Sequence, residues 1–228
     1  MKEQFYSRTE LLIGKDGIER LNKSRVAVIG IGGVGSFAAE ALARAGVGTL
    51  VLVDHDIICP SNLNRQILAL RSTLALPKVE VMKNRILDIN LDAKVIGIRE
   101  FYSEKTATRI LSTDYDYVVD AIDSLGSKVD LIIRCKQTNI PIISAMGAGN
   151  KLDPTKFQVA DISETSVCPM ARKIRKELRK NGIESGVKVV FSTETPLINH
   201  RPPGSISFVP SVMGLIIAGE VINYLIKN

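Results

Sequence analysis

Residue types suited to handling a polyphosphate cluster in a few short stretches of this 228-residue chain. Arg65 and Lys78 are cations set in NLNRQ and PKVE. Two fixed cations suit a triphosphate better than the pyrophosphate of a dinucleotide, because they can neutralise the charge that develops on a leaving pyrophosphate. Asn62, Asn64 and Gln66 surround Arg65 with amide donors and acceptors. Asp120 and Asp123 close an apolar run in YVVDAID. Paired acids beside a triphosphate suggest magnesium, which favours carboxylate, water and phosphate oxygens. Plain alternatives stand beside each reading: solvated surface bases for the cations, and a carboxylate capping the next helix for the acids. Capping is the expectation for Asp120 and the metal for Asp123.

The elements that position these residues begin at Arg25. Val26–Ile29 is a short apolar run, followed at once by Gly30, Gly32, Gly33 and Gly35, then by the Ala- and Leu-rich SFAAEALARAG, and then by Leu50–Val53, with Asp54 and Asp56 beyond it. This reads as strand, glycine turn, helix, strand, acid. Glycines let the backbone approach an anion closely, and the N–H groups at the helix start then face a phosphate. A carboxylate at Asp54 can accept from ribose hydroxyls. A packing turn without a ligand is the alternative, and NAD, FAD and ATP sites all open this way.

Farther along, strands and helices alternate as far as MGAGN, which argues for a Rossmann-like α/β fold: a mostly parallel sheet with helices on both faces. Ligands of such sheets sit at the carboxyl ends of the strands, where the glycine turn, Asp54 and Asp123 all fall. Past residue 150 the rhythm changes. Runs at 157–162, 187–191 and 206–209 read as strands that extend the sheet, partly antiparallel, before a last helix over 212–226. Residues 1–24 read as a helical arm with Leu11, Leu12, Ile18 and Leu21 as apolar anchors, able to lie over a neighbouring subunit. The expectation is a single domain over 1–228, with 151–228 completing the sheet and the substrate side.

Composition is ordinary for a globular chain, at 45% hydrophobic and 24% charged residues. The KEQFYSRTE opening has no signal-peptide character. The apolar stretch 206–226 is interrupted by Pro210 and Glu220, so no membrane insertion is expected. Cys59, Cys135 and Cys168 form no C-x-x-C pair, which excludes a four-cysteine zinc site and fits a reducing cytoplasm. Cys168 precedes Pro169 at a helix start and reads as a small buried residue, with an activated thiol as the alternative. The formal net charge is +6, and six bases against one acid between Pro169 and Asn181 account for most of it. That helix keeps Met170, Ile174 and Leu178 as an inward stripe. Its other face is either solvated or a nucleic-acid contact.

GIGGVGS, VLVDHD, SNLNRQ, PKVE and DAIDS, in this order, resemble the adenylating domain of the ubiquitin-activating-enzyme-like superfamily, which includes the ThiF, HesA and MoeB proteins. The resemblance implies that Gly30, Gly32, Gly33, Gly35, Asp54, Asp56, Asn62 and Gln66 hold ATP, that Arg65 and Lys78 contact its phosphates, and that Asp123 binds magnesium and is needed for adenylation. FYSR resembles the segment that places an arginine, here Arg8, in the partner subunit's site of a homodimer. FSTE and PGSISFVPSVMG are similar to the branch of tRNA threonylcarbamoyladenosine dehydratases. That branch implies adenylation of a threonyl carboxylate on tRNA and ring closure with loss of water. It also implies a monovalent cation near the late loops and, for some members, a link to cysteine desulfurase systems. Sulfur-carrier-activating members usually carry zinc cysteines that are absent here. Adenylation of a ubiquitin-like protein's C-terminus and NAD-dependent oxidation are the competing functions.

Overall fold

The computed structural model describes residues 2–200 and 202–227, with side chains from residue 5 onward. One sheet runs through it. Its strands are β1 (Arg25–Ile29), β2 (Thr49–Val53), β3 (Lys94–Ile98), β4 (Tyr117–Asp120), β5 (Ile142–Ala145), β6 (Phe157–Asp161) and β7 (Lys188–Ser192), in the order β3-β2-β1-β4-β5-β7-β6. Every neighbouring pair is parallel except β6–β7. The helices are α1 (Lys2–Lys23), α2 (Gly35–Ala45), α3 (Lys78–Ile89), α4 (Glu104–Ile110), α5 (Leu125–Gln137), α6 (Pro169–Lys180) and α7 (Phe208–Leu225).

Side chains alternate across the sheet with the two-residue period of a strand. Val26, Val28, Leu50 and Leu52 join a core with α2, α3 and α7, whereas Ala27, Ile29, Val51 and Val53 join a second core with α5 and α6. With both faces covered, the central strands are apolar on both sides, which is why they read as continuous hydrophobic runs. After β1 the chain builds outward through β2 and β3, and with β4 it crosses to the other side of β1. The loops after β1 and β4 therefore flank a topological switch point, where α/β sheets leave a crevice.

Three expectations need correcting. No strand occupies 206–209: Phe208 already begins α7, so Pro210 sits in the first turn, where its missing N–H would lack an intrahelical acceptor in any case. Leu11 and Leu12 are 83% and 87% exposed, and of the four expected anchors Ile18 and Leu21 are the ones buried against the arm's own chain. At Gly14 (φ 70°) α1 kinks, and Tyr6 is buried with its hydroxyl donating to Asn22 Oδ1 at 2.9 Å. The inward stripe of α6 is Ala171, Ile174 and Leu178, with Met170 only half-buried. α7 has the length and composition to cross a membrane, yet half of it is buried within the chain, against α2 and the sheet. Gly214 permits that approach, since a Cβ there would lie 2.3 Å from the Val34 carbonyl oxygen.

Candidate active site

β1 leads into Gly30, whose N–H donates to the Val53 carbonyl at 2.8 Å and whose φ is +91°. A Cβ at Gly30 would lie 2.7 Å from the Ala121 carbonyl oxygen, so the glycine is required both by conformation and by the nearness of the β4 exit. A Cβ at Gly35 would meet the Gly30 carbonyl oxygen at 1.8 Å. Gly35 therefore closes the turn, and it does not line the cleft, whereas Gly30, Gly32 and Gly33 do. The N–H groups that open α2 are only partly used, Ser36 N–H donating to the Gly32 carbonyl and Ala38 N–H to the Val34 carbonyl, both at 3.1 Å, and a helix start of this kind favours an anion. Asp54 pins this loop, accepting from Ile31 N–H at 2.7 Å and Asp56 N–H at 2.9 Å. Its remaining lone pairs stay available to a ligand.

Across the cleft, Lys78 opens α3 with its ammonium buried, 2.7 Å from Asp56 Oδ2 and 4.0 Å from Asp54 Oδ2. Asp54, His55 and Asp56 bring three ligand atoms close together, but the Lys78 ammonium sits against both acids and offsets one of their two charges. Arg65 Nη1 donates to the Ser61 carbonyl at 2.7 Å and Asn64 Oδ1 at 2.9 Å. One nitrogen carries both bonds, so the guanidinium's other donors remain available. Asn62 shapes the turn, its Oδ1 accepting from Cys59 N–H at 3.0 Å, and Asn64 Nδ2 ties the turn to the Ser205 carbonyl at 2.9 Å. Gln66 is only 6% exposed, with its Oε1 buried and unpartnered in the cleft wall. A ligand donor would satisfy it.

The two acids after β4 have different fates. Asp120 does not cap α5, and its Oδ1 accepts from Ile122 N–H at 3.1 Å. It is fully buried, 2.8 Å from the equally buried Lys128 ammonium, and accepts from Ser144 Oγ at 2.6 Å. Burial holds the Lys128 pKa below the ordinary lysine value, with the charges of Asp120 and Asp123 pulling the other way. Asp123 is exposed and lines the cleft. Nothing in the sequence marked Lys128, because a lysine within a helix reads as a surface base.

The cleft encloses about 1370 Å³. Its far wall is made by residues 196–200 and 202–205, hung from Asn150: the Asn150 carbonyl accepts from Leu197 N–H, and its Oδ1 accepts from Gly204 N–H. Lys151 Nζ donates to the Glu194 carbonyl at 2.5 Å, and burial lowers its pKa against the opposing pull of Cys168 and Glu194. Cys168 is buried in the same wall. Arg8 lies outside this cleft, exposed on α1. Within one chain, then, the cleft gathers Gly30, Gly32, Gly33, Asp54, Asp56, Asn62, Arg65, Gln66, Lys78 and Asp123, and leaves out Gly35 and Arg8.

Residues 6–228 match the ThiF family. The tRNA threonylcarbamoyladenosine dehydratase of Bacillus subtilis (strain 168) is 48% identical over 98% of this chain and 95% of its own. Among solved structures, the E. coli tRNA N6-threonylcarbamoyladenosine dehydratase TcdA in complex with ATP superposes with a TM-score of 0.95 at 37% identity, over 99% of this chain and 95% of that one. The same enzyme in complex with AMP gives 0.94 at 36% identity with the same coverage. The chain belongs to the ThiF family.

Proposed function

We propose that this chain is an ATP-dependent tRNA threonylcarbamoyladenosine dehydratase, which joins the threonyl carboxylate of the modified adenosine to AMP and closes the activated group into a ring. One observation carries the reading: an anion-ready glycine loop, two cations and an exposed aspartate face one cleft at the switch point of the sheet. The 48% identity to a dehydratase and the likeness to a dehydratase holding ATP or AMP select the substrate.

The donor set suits ATP. Backbone N–H groups at the start of α2 take phosphate oxygens, Arg65 and Lys78 neutralise the triphosphate, and Asp54 accepts from the ribose. Asp123 offers a carboxylate that no ion pair among the described residues occupies, which suits a magnesium ion that keeps its waters and shares phosphate oxygens. Bound magnesium would supply charge neutralisation at the phosphates. The ion pair of Lys128 and Asp120 holds the strand end from which Asp123 projects.

The chemistry balances without a protein nucleophile. A carboxylate oxygen attacks the α-phosphorus, the bond to the bridging oxygen breaks, and pyrophosphate leaves with the electron pair. An atom of the same modification then attacks the acyl carbon. AMP departs with the former carboxylate oxygen and the attacking atom gives up its proton to solvent, so the ring closes with net loss of water. Attack within one molecule needs positioning above all, and Cys168 needs no part in it.

Arg8 acts across a homodimer, on an arm whose exposed Leu11 and Leu12 offer the partner an apolar contact. A monovalent cation near the late loops, a cysteine desulfurase or sulfur-acceptor partner and a cytoplasmic location complete the proposal, the last in keeping with three free thiols. The test is exchange of labelled pyrophosphate into ATP. Exchange that requires threonylcarbamoyl-modified tRNA is the expected result. Exchange driven by the C-terminus of a ubiquitin-like protein and indifferent to tRNA would overturn the substrate assignment, and reduction of NAD without pyrophosphate release would overturn the reaction.

A further inference from the structure

Outside the phosphate side of the cleft, the strongest charge feature is the solvent face of α6. Its six bases are not equivalent. Arg175 turns inward, with Nη1 donating to the Thr165 carbonyl at 2.7 Å and to Thr165 Oγ1 at 2.5 Å. Lys180 pairs with Glu177 at 2.8 Å. Arg172, Lys173, Lys176 and Arg179 remain, and among the described residues no carboxylate pairs with any of them. At 3.6 residues per turn these four share an arc of roughly 120°, opposite the buried Ala171, Ile174 and Leu178.

The arc is continuous with the cleft. Arg172 and Lys173, in the first turns of α6, line it. Lys176 and Arg179 follow outward, Arg179 lying about 10 Å along the helix axis from Arg172. Surfaces of folded chains usually intersperse both signs of charge. Four unpaired cations on one arc repel one another, and a polyanion relieves that repulsion while releasing its own counterions.

We infer that this face of α6 is a track for the sugar–phosphate backbone of tRNA, with Lys176 and Arg179 holding the strand outside the cleft and Arg172 and Lys173 leading it to the mouth. The inference rests on the tRNA reading above and adds the surface that reading lacks. The contacts are to phosphate, so they position the strand and carry no base identity.

The test measures tRNA binding by fluorescence anisotropy across a salt series, on the full-length protein and on the double variants Lys176→Gln/Arg179→Gln and Lys176→Glu/Arg179→Glu. Arg175 is kept so that its internal bonds survive, and ATP affinity is followed by calorimetry as a check on the fold. The neutral variant is expected to reduce the log–log salt slope by about 2. Charge reversal is expected to weaken tRNA binding at low salt by at least ~10-fold while ATP affinity holds, because phosphate contacts dominate affinity. Unchanged tRNA affinity and slope in both variants overturn the track. So does poly-glutamate binding that the substitutions abolish while tRNA binding persists, which would assign the face to an acidic polypeptide. Wild-type protein that binds no tRNA overturns the track and the proposed substrate together, whereas wild-type turnover with variant-insensitive tRNA binding overturns the track alone.

Discussion

Lys78 and Asp123 carry the heaviest demands of any single side chains. Lys78 holds a buried ammonium between Asp54 and Asp56 and would have to move or share it when a triphosphate enters. Lys78→Ala should lower the rate of pyrophosphate exchange by at least ~100-fold, the scale set by removing one preorganised electrostatic donor. It should also raise the KM for ATP. Asp123→Asn should lose a comparable factor, with a midpoint of thermal unfolding close to that of the wild type, since the side chain is exposed. A wild-type rate in either variant removes that residue from the site. At this scale the sequence was informative wherever a residue's neighbours were also its partners in sequence, as for Arg65, Asn64 and Asn62. It was silent on Lys128, whose burial depends on Asp120 and Ser144 arriving from two different strands.

Turns and strand ends set what those side chains can do. Gly35→Ala would drive a methyl into the Gly30 carbonyl oxygen, so it should weaken ATP binding and lower the unfolding temperature together, although Gly35 does not touch the cleft. Calorimetry of ATP binding beside a thermal melt reads both effects. The buried pair behind Asp123 has a pH signature. Asp120→Ala leaves Lys128 without its counter-charge and should cost about 3–5 kcal/mol, the penalty for breaking one side of a buried ion pair. Burial already lowers the Lys128 pKa in the folded chain. Between the folded and the ordinary lysine pKa the unfolded chain binds more protons, so stability rises with pH in that window. Removing Asp120 lowers the folded pKa further and widens the window downward. The rise of stability with pH should therefore begin at a lower pH in the variant than in the wild type. Urea unfolding over a pH series checks this, and a rise that begins at the same pH in the two proteins would contradict it.

Periodicity made the β-α alternation legible, because each crossover spans enough residues for the pattern to show. It failed at 206–209, where an apolar run of strand length was the first turn of a helix packed on α2. Short apolar runs carry no information about which of the two they are. It failed again at Leu11 and Leu12, apolar residues that face outward from their own chain.

For the whole molecule, those two leucines and Arg8 belong to one argument. An arm that exposes adjacent leucines beside an arginine is suited to a second copy of the chain. Leu11→Glu/Leu12→Glu should convert a dimer into monomers in sedimentation and lose turnover with it. Arg8→Ala mixed with Lys78→Ala should recover part of the activity that each lacks alone, because a mixed dimer contains one intact composite site. Activity in dilute monomer, or failure of every mixture to complement, would place Arg8 outside the mechanism.

Product stoichiometry tests the central claim most directly. Threonylcarbamoyl-modified tRNA, ATP and magnesium are incubated with the enzyme, nucleosides are resolved by mass spectrometry, and AMP, ADP and pyrophosphate are quantified in the same sample. The account predicts a nucleoside lighter by one water, with AMP and pyrophosphate each formed in equal amount to it. Cyclised nucleoside accompanied by ADP and phosphate, or AMP and pyrophosphate formed with the nucleoside unchanged, would contradict it.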